Sequence, residues 1–140
     1  MTPPFDLTAT LRALILGLPT VAAVAGTRIF IAAELPAGYD PKAVATSPAL
    51  TGPAVLFSDR GGRPNVTSVL LDSTYQARCY AADQQTARDL DARLLAALHD
   101  RARGRIRVIR CTTTGQHVSD YPQTGWHLYL STWQVTAVIA

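Results

Sequence analysis

Between Ser73 and Leu98 the apolar residues change spacing from every second position to every third or fourth, which predicts a strand running almost directly into a helix. In the first half Tyr75, Ala77, Cys79 and Ala81 fall on one face, and Thr74, Gln76 and Arg78 on the other. That is the period of a half-buried strand, interrupted on its polar side by Tyr80. Asp83 stands where an N-cap belongs, with a carboxylate that can accept the free amides of a first turn. Ala87, Leu90, Leu94, Ala97 and Leu98 then repeat at helical spacing. Asp89 and Arg93 stand four apart with the acid first, the favourable order on a solvated face, and Gly104 is a stop signal.

The other elements are placed around this pair. After Pro3 and Pro4, Asp6 can cap a helix on which Leu7, Leu11, Leu14 and Leu18 share a side, with Leu16 opposite. Pro19 stops that helix, a shorter one spans Thr20 to Ala25, and Gly26 ends it before a first strand, Arg28-Ile-Phe-Ile31. From Glu34 to Pro53 the prolines and glycines exclude a regular element, so a long loop is expected, better suited to reaching a partner than to chemistry. Ala54-Val-Leu-Phe57 reads as a short strand, and Asp59-Arg-Gly-Gly-Arg-Pro-Asn65 as the turn-rich connection of a hairpin with a basic tip. Beyond the long helix a strand is predicted from Arg105 to Thr112, a loop from Thr113 to Gly125, and a last strand from Trp126 towards Val138. On that strand Trp126, Leu128 and Leu130 share one face, and Tyr129, Trp133, Val135 and Ala137 the other. Both faces are apolar, so the second must be covered by this chain or by another protein.

The order of elements gives an α+β fold: a mainly antiparallel sheet of about five strands, with one long helix and an N-terminal helix packed on one face. The 140 residues, 48% hydrophobic and 16% charged, suit one domain with its own core, residues 1–140. No apolar run reaches the roughly 20 residues of a membrane span, and no membrane partner is expected. The apolar stretch from Ala13 ends in Ala23-Val24-Ala25 before Gly26, like a small-residue cleavage site, but Asp6 before Arg12 and the interruption at Pro19 argue against a leader.

Charge is modest overall, +3, but Arg101, Arg103, Arg105, Arg107 and Arg110 place five of the 13 basic residues in one short stretch. Such a cluster is a solvated strand end, a contact with an acidic protein surface, or a phosphate contact. The absence of an interleaved aromatic weakens a nucleic-acid reading based on base stacking. Cys79 and Cys111 lie far apart in strand-like runs and read as buried thiols rather than a disulfide or a metal pair. His99, His117 and His127 lack ligand spacing. His117, Ser119 and Asp120 are neighbours in sequence, which argues little for a catalytic triad, a spatial arrangement. No nucleotide, hydrolase or metalloprotease motif is present, so no catalytic, cofactor or metal residues are assigned.

Taken together, Leu11-Arg-Ala-Leu14, the Leu18-Pro19 break, Val21-Ala-Ala-Val-Ala-Gly26, Arg28-Ile-Phe30, Gly52-Pro-Ala-Val-Leu-Phe57, Tyr75-Gln-Ala-Arg-Cys-Tyr-Ala81 and the turn Asp120-Tyr-Pro-Gln-Thr-Gly125 resemble, in order and spacing, the tail-completion or tail-terminator family of long-tailed phages. The likeness runs over nearly the whole chain, although each piece alone is a weak motif. It implies a non-enzymatic virion protein, assembled in the host cytoplasm, that forms a ring, commonly six-fold, at the head-proximal end of the tail tube. The implied partners are other copies of the chain, the tail tube protein and the head-tail connector, with DNA passing through the ring without sequence-specific binding and no cofactor. A stopper or adaptor of the head-tail connector is the nearest alternative, followed by a small non-viral binding domain and then an enzyme. The Glu34–Gly52 loop and the basic Arg101–Arg110 segment are longer and more basic than the family pattern. They supply most of the candidate interface: Pro36, Tyr39, Pro41 and Pro48 from the loop, Arg60 and Arg63 from the hairpin, Arg101, Arg103, Arg105 and Arg107 from the basic segment, and Tyr129 and Trp133 from the last strand.

Overall fold

A computed structural model describes residues 7–32, 34–41, 50–64, 70–119 and 126–138. The elements are α1 (Leu7–Leu16), α2 (Pro19–Ala25), β1 (Ile29–Ile31), β2 (Ala54–Pro64), β3 (Leu70–Ala81), α3 (Gln84–Leu98), β4 (Ile106–Ser119) and β5 (His127–Val138). The fold is α+β, as expected, with all five strands in one sheet of order β1-β2-β3-β5-β4. β1 pairs parallel to β2, and every other neighbouring pair is antiparallel.

β3 lies at the centre, and the alternation expected of it is present: Tyr75, Ala77, Cys79 and Ala81 are buried. Asp83 caps α3 as anticipated, its carboxylate accepting from the Thr86 amide at 2.8 Å. Ala87, Leu90, Leu94 and Leu98 are buried, and the outward Asp89–Arg93 pair closes at 2.9 Å. On the same face of the sheet α1 and α2 contribute Leu11, Leu14, Ile15, Leu18, Val21 and Ala25 to one core with Phe57, Trp133 and Val135. The apolar N-terminal stretch is thus core material. Leu16, expected to point away, also packs partly against it. Among the described residues no single helix is long and apolar enough to cross a membrane, and α1 and α2 meet at 86° across the Gly17–Leu18 break.

Two boundaries move. The breakers after Phe57 do not end the strand: β2 runs on to Pro64, and Gly61, at a φ of 103°, is absorbed into an irregularity between Asp59 and Gly62. Extra residues in one strand can be accommodated as a bulge instead of a turn. Likewise the stretch from Thr113, expected to be loop, continues β4 to Ser119, with shifts of register on both sides of Thr113. The β-branched threonines favour extended backbone, and the bulges absorb the mismatch with β5. Cys79 is buried as read, whereas Cys111 is only half-buried.

The parallel β1–β2 pairing has a physical consequence, because parallel neighbours need a long crossover rather than a tight turn. The segment between Ile31 and Ala54 is that crossover. Its described parts lie over the face of the sheet opposite the helices, where Tyr39 is 5% exposed and packs with Leu56, Tyr80 and Leu128 in a second, smaller core.

Candidate protein interface

The structure divides the expected interface residues into three groups. Trp133, Tyr39 and Pro41 are interior. Trp133 is 1% exposed beneath α3, and its indole nitrogen donates to Ser131 Oγ at 2.8 Å. The Tyr39 hydroxyl donates to the Gly52 carbonyl at 2.5 Å, and its ring meets Phe30, Tyr80 and Trp126 edge-on. Burial raises the Tyr39 phenol far above its usual range, against the opposing pull of the Arg28 charge. The placement of Tyr39, Pro41 and Trp133 corrects the expectation that they present themselves to a partner: two apolar sheet faces are covered largely by this chain's own helices and crossover. Pro48 and the side chain of Arg63 lie outside the described residues, as do Asp120 and the side chain of Ser119.

Arg101, Arg103, Arg105 and Arg107 are exposed, and Pro36 is half-buried. The arginines surround a stiff turn. Asp100 adopts a φ of 64°, its amide donates to the Ile109 carbonyl at 2.7 Å, and the Ile109 amide donates to the Arg101 carbonyl at 3.1 Å. Gly104, also at positive φ, sits in the bend between Arg103 and Ile106, whose backbones bond to each other in both directions. Arg101 Nε reaches back to the Ala97 carbonyl at 2.9 Å, in the last turn of α3, and Arg110 Nε lies 3.5 Å from Asp100 Oδ1. Cations at a helix C-terminus are favoured by its dipole, so the basic segment is positioned as well as exposed.

Tyr129 is half-buried beside a pair of histidines that no ligand spacing predicts. His117 and His127 face each other across β4 and β5, with Nε2 of the first 3.1 Å from Nδ1 of the second. Their rings are nearly parallel, and the His117 ring also meets Tyr129. Residues near the two ends of a hairpin connection are brought together by antiparallel pairing whatever their separation in the chain. Among the described residues no cluster of three or more metal-ligating side chains exists.

A shallow groove of about 320 Å³ crosses β3, β5 and β4 beside the Tyr39 cluster, lined by Leu35, Arg78, Tyr80, Val118, Trp126, Leu128 and Leu130. Arg60 and Arg78 both direct an Nη2 to the side-chain oxygen of Gln76, the second at 3.1 Å. The alternation along β3 placed Gln76 and Arg78 on the outer face correctly. Their junction with Arg60 follows from β2 running past Phe57, which the glycines obscured.

A solved chain from the virion of a native gene transfer agent particle shares this fold, with a TM-score of 0.66 over 94% of each chain and 15% identity. No protein-family model matches the chain, and no curated protein is similar to it in sequence.

Proposed function

We propose that this chain is a structural protein of a phage-like particle, acting as a tail-completion subunit: copies close into a ring at the head-proximal end of the tail tube, stop its polymerisation and join tail to head. The observation that carries the reading is the coverage of the fold match, in which nearly the whole of both chains superimposes on a component of a virion. The sequence resemblance to tail-completion proteins, in the order of its pieces, supports a place in the tail of such a particle. The protein works by contact and not by catalysis.

The basic segment supports the ring reading most directly. A ring closes through a heterologous contact, in which every subunit offers one surface and receives another. The arginines from Arg101 to Arg107 protrude on a hydrogen-bonded turn, which lowers the ordering cost of a contact, and the exposed carboxylates of Asp83, the N-cap of α3, and Asp89, in its pair with Arg93, are acidic groups that a neighbour can share. DNA passes through the opening without being read, and the ring resides in the virion.

Electron microscopy of the purified protein, alone and mixed with its tail tube protein, tests this. Rings capping one end of tubes of uniform length are expected. Binding to the connector but not to tubes would move the protein to a stopper or adaptor position, and a monomer that binds neither would overturn the reading.

A further inference from the structure

The groove on the outer face of the sheet lies towards the end of β4 remote from the basic segment and has a chemistry of its own. Its lining is mainly apolar: Leu128 and Leu130 from β5, Val118 from β4 and Leu35 from the crossover, together with the rings of Tyr80 and Trp126. Val118 is 39% exposed, the large hydrophobic side chain most open to water among the described residues. One charged residue lines it, Arg78, which stands opposite Leu130 in the β3–β5 register. Arg78 and Arg60 share a neutral acceptor, the Gln76 oxygen, and among the described residues no carboxylate lies within ion-pair distance of either guanidinium.

Two cations converging on one amide oxygen are better satisfied by a carboxylate, which adds a neutralising charge and the two-oxygen fork that matches a guanidinium. The geometry points to this groove as the docking site of an acidic, apolar polypeptide segment of another protein. An aliphatic side chain of the segment seats on Leu128 and Leu130, and an adjacent aspartate or glutamate takes the Arg78 guanidinium, with Arg60 beside it. Charge complementarity selects the occupant, since the single charge lining the groove is positive and the chain as a whole carries +3. Nucleic acid is the poorer fit: phosphate binding relies on many cations along a backbone, whereas a single cation, Arg78, lines this groove.

The test uses the whole protein and fluorescently labelled peptides of about twelve residues, enough to cross three strands: one alternating leucine and glutamate, one leucine and lysine, with oligothymidylate as competitor. Anisotropy is expected to show saturable binding of the glutamate peptide, with the lysine peptide weaker by at least about tenfold. Arg78→Gln should weaken the glutamate peptide by about tenfold, the cost of one charge-assisted bond. Leu130→Asp should remove binding, and Arg88→Gln, on exposed α3, should leave it unchanged. Circular dichroism checks each fold, and if Leu130→Asp does not fold, Arg78→Gln decides alone. No binding of the glutamate peptide, equal binding of both peptides, or an Arg78→Gln variant that binds normally would overturn the proposal. So would displacement of the peptide by oligothymidylate, which would make the groove a phosphate site. Self-association that disappears in Arg78→Gln would instead assign the groove to a second copy of the chain, and would overturn it equally.

Discussion

The carboxylate of Asp91 reaches from α3 to the backbone of β4, where Gly115 leaves room for it. A Cβ at Gly115 would lie 2.1 Å from Asp91 Oδ2, so the absence of a side chain there is what admits the acid. The Ser131 hydroxyl donates to this carboxylate while accepting from Trp133, forming a short polar chain inside an apolar layer. Gly115→Ala is expected to cost about 2 kcal/mol, the usual range for forcing an extra carbon into a packed site, measured by denaturant unfolding. Burial raises the Asp91 pKa, opposed by the bond from Ser131, and the same charge helps burial to push the Cys79 thiol upward. The folded chain therefore holds a proton on Asp91 more tightly than the unfolded chain does. Its contribution to stability is most favourable below the usual aspartate range and diminishes as pH rises through the elevated folded value. Asp91→Asn should remove that decline: its unfolding midpoint, compared with the parent from acid to neutral pH, should gain on the parent as pH rises. A constant difference across the series would contradict the assignment.

At the scale of elements, Arg28 joins three pieces of chain that sequence alone keeps apart. Its Nε donates to the Pro53 carbonyl at 2.7 Å and one Nη to the Val24 carbonyl at 3.3 Å, tying α2 to the entrance of β2. Gly52, at a φ of 102°, lets the guanidinium approach to where a Cβ would be only 2.9 Å away. Arg28→Ala should lower stability by about 2 kcal/mol through two orphaned carbonyls and loosened crossover packing, visible as a lower unfolding midpoint at unchanged slope. Such long-range ties mark the limit of what periodicity reveals. The β3–α3 unit was legible because alternation, cap and helical stripe agree locally. The crossover was not, because proline and glycine announce irregular backbone without saying what it covers, and its Tyr39 anchors a sheet face that had looked as though it awaited a partner. The same limit hid the histidine pair and the meeting of Arg60 with Arg78, each created by strand register rather than by spacing. The exposed basic segment, in contrast, was readable as charge density alone.

For the whole molecule, the separation of a rigid interior from a basic edge predicts that assembly and folding are separable. Replacing Arg103 and Arg107 by glutamate should change stability by no more than about 0.5 kcal/mol, as surface substitutions do. Under the ring reading it should weaken association by at least about tenfold, with reduced salt sensitivity, because interfacial charge complementarity governs encounter and register. Light scattering at low and high salt, alongside circular dichroism, separates the two effects. An unaltered assembly would return these arginines to the role of a solvated edge.

The parallel pairing of β1 with β2 also shapes the order in which the molecule comes together. β2 with β3, β3 with α3, and β4 with β5 are joined through near neighbours in the chain, but β1 meets β2 only after the whole crossover has been closed, at an entropic cost paid before any pairing is gained. With three residues and one neighbour, β1 is the strand with least pairing to hold it and is expected to leave the sheet first. Native-state amide exchange should then be slowest in β3, held on both sides, and fastest in β1, so that the N-terminal segment opens as a unit while the antiparallel remainder of the sheet stays closed.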